Sequence, residues 1–126
     1  MAEGFHSNPV LGHVYTLGGG APVRLRLARA SDAAAIKRLV EDHELGRGEV
    51  EAARLVHFDP RRRYVLCAAG LRGSTEAVLG VGAIRLEAAA EPDLLVVGEE
   101  APAEIAGLLR QALVAAAARR GRDRAA

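Results

Sequence analysis

An α+β fold with a mainly antiparallel sheet and flanking helices follows from three observations. Residues 23–27 alternate strictly between apolar and charged side chains, as a half-buried strand does. Two longer stretches, 33–44 and 104–120, carry apolar residues at helical spacing. Three apolar runs, at 63–69, 77–86 and 94–97, follow one another with turn-like segments between them, which suits antiparallel neighbours.

In chain order, residues 1–12 are weakly patterned and read as a flexible lead. His13-Val14-Tyr15-Thr16-Leu17 is strand-like, and the Gly18-Gly19-Gly20-Ala21-Pro22 cluster reads as a turn into Val23-Arg24-Leu25-Arg26-Leu27. The alternation there assigns Val23, Leu25 and Leu27 to the core and turns Arg24 and Arg26 outward. Ser31-Asp32 is a helix N-cap signal, and Ile36, Leu39, Val40 and His43 mark one face of the helix that follows. Gly46-Arg47-Gly48 breaks the chain. A second short helix over 49–57 would carry Val50, Ala53 and Val56 or Leu55 inward, and Asp59-Pro60 ends it.

The run Arg63-Tyr64-Val65-Leu66-Cys67-Ala68-Ala69 reads as a buried strand, residues 70–76 as a turn, and residues 77–86 as its partner. Period two puts Val78, Gly80, Gly82, Ile84 and Leu86 on one face, where the two glycines leave room for a close-packed helix. After an acidic loop, Leu94-Leu95-Val96-Val97 is a short strand. The last helix presents Ile105, Leu108, Leu109, Ala112, Leu113 and Ala116 on one face, and Gly121 ends it. The order is β-β-α-α-β-β-β-α, in a single domain over 13–121 with a frayed tail at 122–126.

At 126 residues the chain can bury a modest core. Few aromatics are present, so that core rests on Val, Leu, Ile and closely packed Ala. Lys37 is the single lysine against many arginines, a bias expected of a GC-rich bacterial genome. With 17 Lys and Arg against 16 Asp and Glu, the charge makes no case for nucleic acid. The lone Cys67 excludes an intrachain disulfide and fits a reducing cytosol as a small buried hydrophobe. No run is long enough to span a membrane, and no basic-then-apolar leader opens the chain, so a cytoplasmic protein is expected.

Candidate chemistry is sparse. His6, His13, His43 and His57 have no metal-ligand spacing with Cys67, and no metal site is assigned. His43 beside Asp42 or Glu44 has the residue types of a general base, but a helix-end histidine is the better reading. Arg61-Arg62-Arg63, with Arg47, Arg54 and Arg72, offers an anion or acidic-partner patch, or a solvated face. No nucleophile elbow, Walker A or dinucleotide fingerprint occurs.

In their order and spacing, several segments together resemble the front part of a GNAT-type N-acetyltransferase. Residues 23–36 resemble that family's opening strand, its arginine-to-aspartate transition and its first helix. Residues 64–69 with 77–84 resemble its central hairpin, and residues 92–97 with 108–113 its fourth strand and third helix. The hairpin before residue 23 resembles an extra strand of some bacterial members.

The resemblance implies acetyl-CoA running along the strand at Val96 and Val97, with its pyrophosphate at the following loop and helix N-terminus. It places the loop's Gln/Arg position on Ala101 and its two small positions on Glu104 and Ala106. Ala106 alone fits, so Val96, Val97 and Ala106 are the candidate cofactor residues. Glu104, with Glu99 and Glu100 nearby, puts carboxylates where phosphates would sit. No Lys or Arg lies between Leu86 and Leu109.

The chain also stops after the third helix. The family's later strands and catalytic tyrosine therefore have no position here, and no catalytic residue is assigned. The carboxylates nearest a general-base position are Glu87, Glu91 and Asp93, which otherwise read as solvated loop charge.

The expectation is a GNAT-like, partial fold acting as a non-catalytic interaction or regulatory module without a bound cofactor. It would self-associate, or meet a protein partner, through its last strand or helix. The alternative is an acetyl-CoA-dependent N-acetyltransferase with an altered site, completed by a partner chain.

Overall fold

The computed structural model describes residues 14–20, 22–43, 48–72, 75–88, 91–99 and 101–125. Five strands form one antiparallel meander: β1 (Val14–Thr16), β2 (Pro22–Leu27), β3 (Arg63–Arg72), β4 (Thr75–Arg85) and β5 (Leu94–Val97). Helices α1 (Ala33–Asp42) and α2 (Gly48–Val56) connect β2 to β3, and α3 (Glu104–Ala125) follows β5. The element order and antiparallel pairing agree with the sequence reading. The leader over 1–12 and the residues His13, Glu44 and Arg47 lie outside the described residues.

The sheet is the middle of three layers. On one face Val23, Leu25, Leu66, Ala68 and Ile84 pack with Ile105, Leu109 and Leu113 of α3. On the other, Val65, Cys67, Val81, Ala83 and Val96 pack with Ile36, Leu39 and Val40 of α1 and Leu55 of α2. β3, β4 and β5 contribute to both cores because successive side chains alternate, whereas β2 supplies Val23 and Leu25 to the α3-side core and arginines to the other face.

Several elements differ from their sequence reading. Leu27 is 44 % exposed, because the strand ends there. Arg26 faces the α1 side of the sheet and is only 13 % exposed. In α2 the inward set is Ala52, Leu55 and Val56, with Val50 and Ala53 exposed. The β3–β4 hairpin extends well beyond the expected turn, with Arg72 paired to Thr75. Helix α3 runs past Gly121 to Ala125, since an interior glycine costs a helix only about 1 kcal/mol.

The consequential difference is a β-bulge. Ala68 pairs with Gly80 and Ala69 with Val78, so Leu79 is an extra residue on β4. Leu79 and Gly80 therefore both face α3, and period two resumes on the opposite phase. Val78 joins the α1-side core instead of the face shared by Gly80, Gly82 and Ile84. The freed Leu79 carbonyl accepts the Gly98 N–H at 2.9 Å, which fixes the exit of β5.

Close packing explains the β4 glycines. A Cβ at Gly82 would lie 2.8 Å from Leu113 Cδ1 and 3.1 Å from Leu95 Cδ1. One at Gly80 would lie 3.1 Å from the Val96 carbonyl oxygen. Helix α3 can thus press its leucines directly onto the β4 backbone.

The faces can be checked by urea denaturation. Leu25→Ala should lose about 2–5 kcal/mol, as for a fully buried leucine. Leu27→Ala should stay within about 0.5 kcal/mol. Equal losses at the two positions would mean that the faces are assigned wrongly. In the same assay Gly82→Val should cost about 1–3 kcal/mol, as an overpacked core does. A neutral result would show that α3 is not seated on β4.

Candidate functional site

The densest polar constellation lies on the α1 side of the sheet. Arg24 and Arg26 project from β2 beside Ala69 and Cys67. Asp32 closes a short 3-10 turn (Ala30–Asp32) ahead of α1 and is 4 % exposed. Its carboxylate accepts two hydrogen bonds from the Arg26 guanidinium, at 2.7 and 2.9 Å, and one from the Arg29 backbone N–H at 2.9 Å. Asp32 was read as a cap for α1; its side chain instead turns back onto the strand it has just left.

Glu76 completes the cluster from β4. It accepts hydrogen bonds from Arg24 and Arg26 at 3.2 Å each and from Arg29 at 3.3 Å. Pairing with Leu71, two residues from Ala69, puts Glu76 on the α1 face. Without the extra residue at Leu79 it would face α3. The bulge thereby delivers a carboxylate to three arginines.

Burial and pairing oppose each other in this cluster. Burial pushes the Asp32 carboxyl up, but the hydrogen bonds from Arg26 and from the Arg29 amide outweigh it and hold the group below its usual range. The hydrogen bond to Asp32 raises the Arg26 pKa in turn, against burial. Burial, then the Asp32 charge, pushes the Cys67 thiol up to about 12. Cys67 therefore stays a thiol that donates to Asp32 at 3.7 Å, as an unreactive core residue.

Two cavities open beside the cluster. One, of about 350 Å³, is lined by Arg26, Arg29, Ser31, Arg38 and Glu76, with Val78 among the apolar residues. The other, of about 620 Å³, is lined by Arg38, Leu39, Asp42, Val78, Leu79 and the β5–α3 connection at Gly98, Glu99 and Ala101. They lie beside α1 and the bulged part of β4 and share Arg38 and Val78. The sequence reading passed over this site. Its signal was the arginine pair on the alternating strand, which was read as solvent-facing.

The other sequence candidates are dispersed. Val96 is buried on the α1 side and Val97 half-buried on the α3 side, so the two point to opposite faces of β5. Ala106 is half-buried in the first turns of α3. None of the three lines the cavities described above. His43 is exposed at the end of α1, its Nδ1 2.9 Å from the Leu39 carbonyl oxygen. Arg61 and Arg62 are exposed, Arg54 pairs with Glu51, and Arg63 turns away to bond Asp93 at 2.8 Å. The basic run does not converge on a common anion site. Among the described residues, no group of His, Cys, Asp and Glu could hold a metal ion. No helix among them is long and apolar enough to cross a membrane.

The acidic segment before α3 also has partners that lie far away in sequence. Asp93 pairs with Arg63 and lies 3.9 Å from Arg85, and Glu91 receives two hydrogen bonds from Arg110, at 2.5 and 3.0 Å. Glu104 accepts the Gly18 N–H at 2.6 Å, which ties the β1–β2 turn to the start of α3. That turn closes on itself through Gly20 N–H to the Leu17 carbonyl at 2.8 Å, with Gly20 at φ +86°. Glu87 and Glu99 remain exposed, and Glu100 lies outside the described residues.

No protein-family model, no curated protein and no solved structure matches this chain.

The Asp32 shift fixes a pH dependence. A lowered pKa means that the ionised form stabilises the fold above the unfolded value of about 3.9, and that this contribution is lost as pH falls through the folded value. Urea midpoints should therefore fall below about pH 4, and Asp32→Asn should flatten that decline. At neutral pH the substitution should cost about 3–5 kcal/mol, because it leaves buried Arg26 without its main partner. An unchanged acid profile in the variant would remove Asp32 as its source.

Proposed function

We propose that the chain is a GNAT-like, non-catalytic binding or regulatory module whose region equivalent to the acetyl-CoA loop is closed by its own carboxylate. The observation that carries this reading is the Glu104 hydrogen bond to Gly18. A helix N-terminus offers an anion about half a positive charge and unpaired N–H groups. In α3 that end already carries Glu104 in its first turn, and the β1–β2 turn is fastened beside it. A pyrophosphate placed there would meet a like charge at a cost of about 1–4 kcal/mol at 4 Å, depending on the effective dielectric. Neither Ala101 nor Ala106 supplies a compensating cation or a glycine's close approach. These residues do not fit the group that the resemblance would call for.

The electrostatic argument is local to Glu104 and Glu99. Glu91 and Asp93 are neutralised by arginines and add little to the field. A cytoplasmic module that meets a protein partner, or a second copy of itself, along the β5 edge is consistent with this reading. β5 has one hydrogen-bonded neighbour, and Leu95 on it is partly exposed. The second reading, an acetyl-CoA-dependent N-acetyltransferase with an altered site, is favoured by the element order and by the same open edge.

Calorimetry with acetyl-CoA separates the two. The native protein should show no binding at micromolar concentrations and no rise in melting temperature. The triple variant Ala101→Arg, Glu104→Gly, Ala106→Gly should gain affinity. Micromolar binding by the native chain would overturn the module reading in favour of the enzyme.

A further inference from the structure

We infer that two copies of this chain associate by pairing their β5 strands antiparallel about a two-fold axis at Val96, which joins the two sheets into one. The inference deepens the module reading, on which it rests for the use of the β5 edge, by naming a second copy as the partner and fixing the register.

Backbone hydrogen bonding supplies the first argument. The Gly98 N–H donates to the Leu79 carbonyl, and the ladder between β4 and β5 continues through Gly80–Val97, Val81–Val96 and Gly82–Leu95. Antiparallel pairs alternate between bonded and unbonded. Val96 therefore turns its N–H and C=O to β4, while Leu95 and Val97 turn theirs away from it. Those outward groups meet no partner among the described residues. Edge strands that stay single are blunted by charges, proline, a bulge or extreme shortness. Leu94–Val97 holds no charge and no proline, pairs with β4 without a register shift, and is longer than the three-residue β1 at the other edge of the sheet. With the axis at Val96, Leu95 of one copy lies opposite Val97 of the second copy, and each donates its N–H to the other's carbonyl. A slip by one residue would set opposite faces against each other. An axis at Leu95 would put Val97 opposite Asp93, whose N–H is already given to the Ala83 carbonyl.

Side chains supply the second. Leu95 is 38 % exposed, although it shares the α3 face of β5 with Val97. In this register Leu95 sits directly beside Val97 of the second copy, on the same face, and is covered by it. On the α1 side, position 99 of one copy comes across from position 93 of the other. Asp93 is held by Arg63 at 2.8 Å, and Arg85, 66 % exposed and 3.9 Å from the same carboxylate, is a cation in excess there. Glu99 is exposed beside α1 and forms no ion pair with any described residue. The two-fold brings Glu99 of each copy toward Arg85 of the other, so the contact is made twice. A second copy thus satisfies the backbone groups, Leu95 and the unmatched charges together.

The test is sedimentation equilibrium of the full chain from about 1 µM to about 1 mM. It should show a monomer–dimer equilibrium and no larger species, because a two-fold contact closes on itself. Leu95→Pro deletes an outward donor and spares the ladder to β4. It should raise the dimer dissociation constant at least about tenfold, since each copy loses a hydrogen bond to the other. The charge pair gives a second check that leaves the strand itself intact. Arg85→Glu and Glu99→Arg should each weaken the dimer, and the double variant should recover native affinity. A monomer at about 1 mM or a series of larger oligomers would overturn the inference. So would a folded Leu95→Pro chain that dimerises as the native one does, or charge variants that show no rescue. Acetyl-CoA calorimetry separates this result from the module reading: a dimer that also binds acetyl-CoA sinks that reading alone, and a monomer that does not bind it sinks this inference alone.

Discussion

The Arg26–Asp32 pair is the constraint around which the α1 side of the molecule is arranged. A carboxylate as buried as Asp32 is tolerable only if its lone pairs are filled and its charge is matched. Arg26 does both in a two-point contact, and the Arg29 amide adds a third donor. To meet Arg26, the chain must turn sharply after β2, and the short 3-10 segment before α1 is that turn. The direction in which α1 leaves the sheet is set by the same bond. Buried ion pairs are weak sources of net stability, but breaking one strands a charge in the core. The pair therefore acts on the geometry of the β2–α1 junction more than on the total free energy.

Arg26 alone would remain incompletely satisfied, and the bulge at Leu79 resolves this. By shifting the phase of β4 it brings Glu76 to the arginines and Val78 to the α1-side core. The same extra residue frees the carbonyl that receives Gly98, which sets where β5 ends and the connection to α3 begins. One inserted residue thus joins the polar cluster, the cavities beside it and the β5–α3 connection. On the other face it doubles the consecutive residues facing α3, where glycine at position 80 keeps them from crowding Leu109 and the Val96 carbonyl.

The order of elements was legible because each rests on a local signal. Alternation marked β2, and three- and four-residue spacing marked α1 and α3. Unbroken apolar runs marked β3, buried on both faces over most of its length, and the half-buried β5. The site was not legible for the same reason. Period two says which residues share a face, but it does not distinguish water from a second layer of helices beyond that face. Arg24 and Arg26 were correctly placed opposite Val23 and Leu25, yet Arg26 is only 13 % exposed, held by Asp32 and Glu76, while Arg24 stays 40 % exposed. A bulge leaves no mark in hydrophobic alternation when the inserted residue is itself apolar, as Leu79 is. Reading β4 with one phase therefore put Val78 on the wrong side, and Glu76 was assigned to a turn.

Charge reading failed in a related way. Between residues 87 and 104 the chain holds six carboxylates and no cation, which along the sequence is an acidic field. In the fold, β3, β4 and α3 bring Arg63, Arg85 and Arg110 to that segment, and two of the six carboxylates are paired there. A third, Glu104, serves as an acceptor for a backbone amide 86 residues away. Among the described residues, what survives of the field is Glu99, exposed beside Arg38, and Glu87 on the surface. Arg29 and Arg38, both exposed, line the cavity beside the buried cluster. Sequence proximity had suggested a molecule that repels anions at its α3 end. The folded arrangement instead brings Arg38 into the same cavity as Asp42 and Glu99, so both signs meet beside the β5–α3 connection.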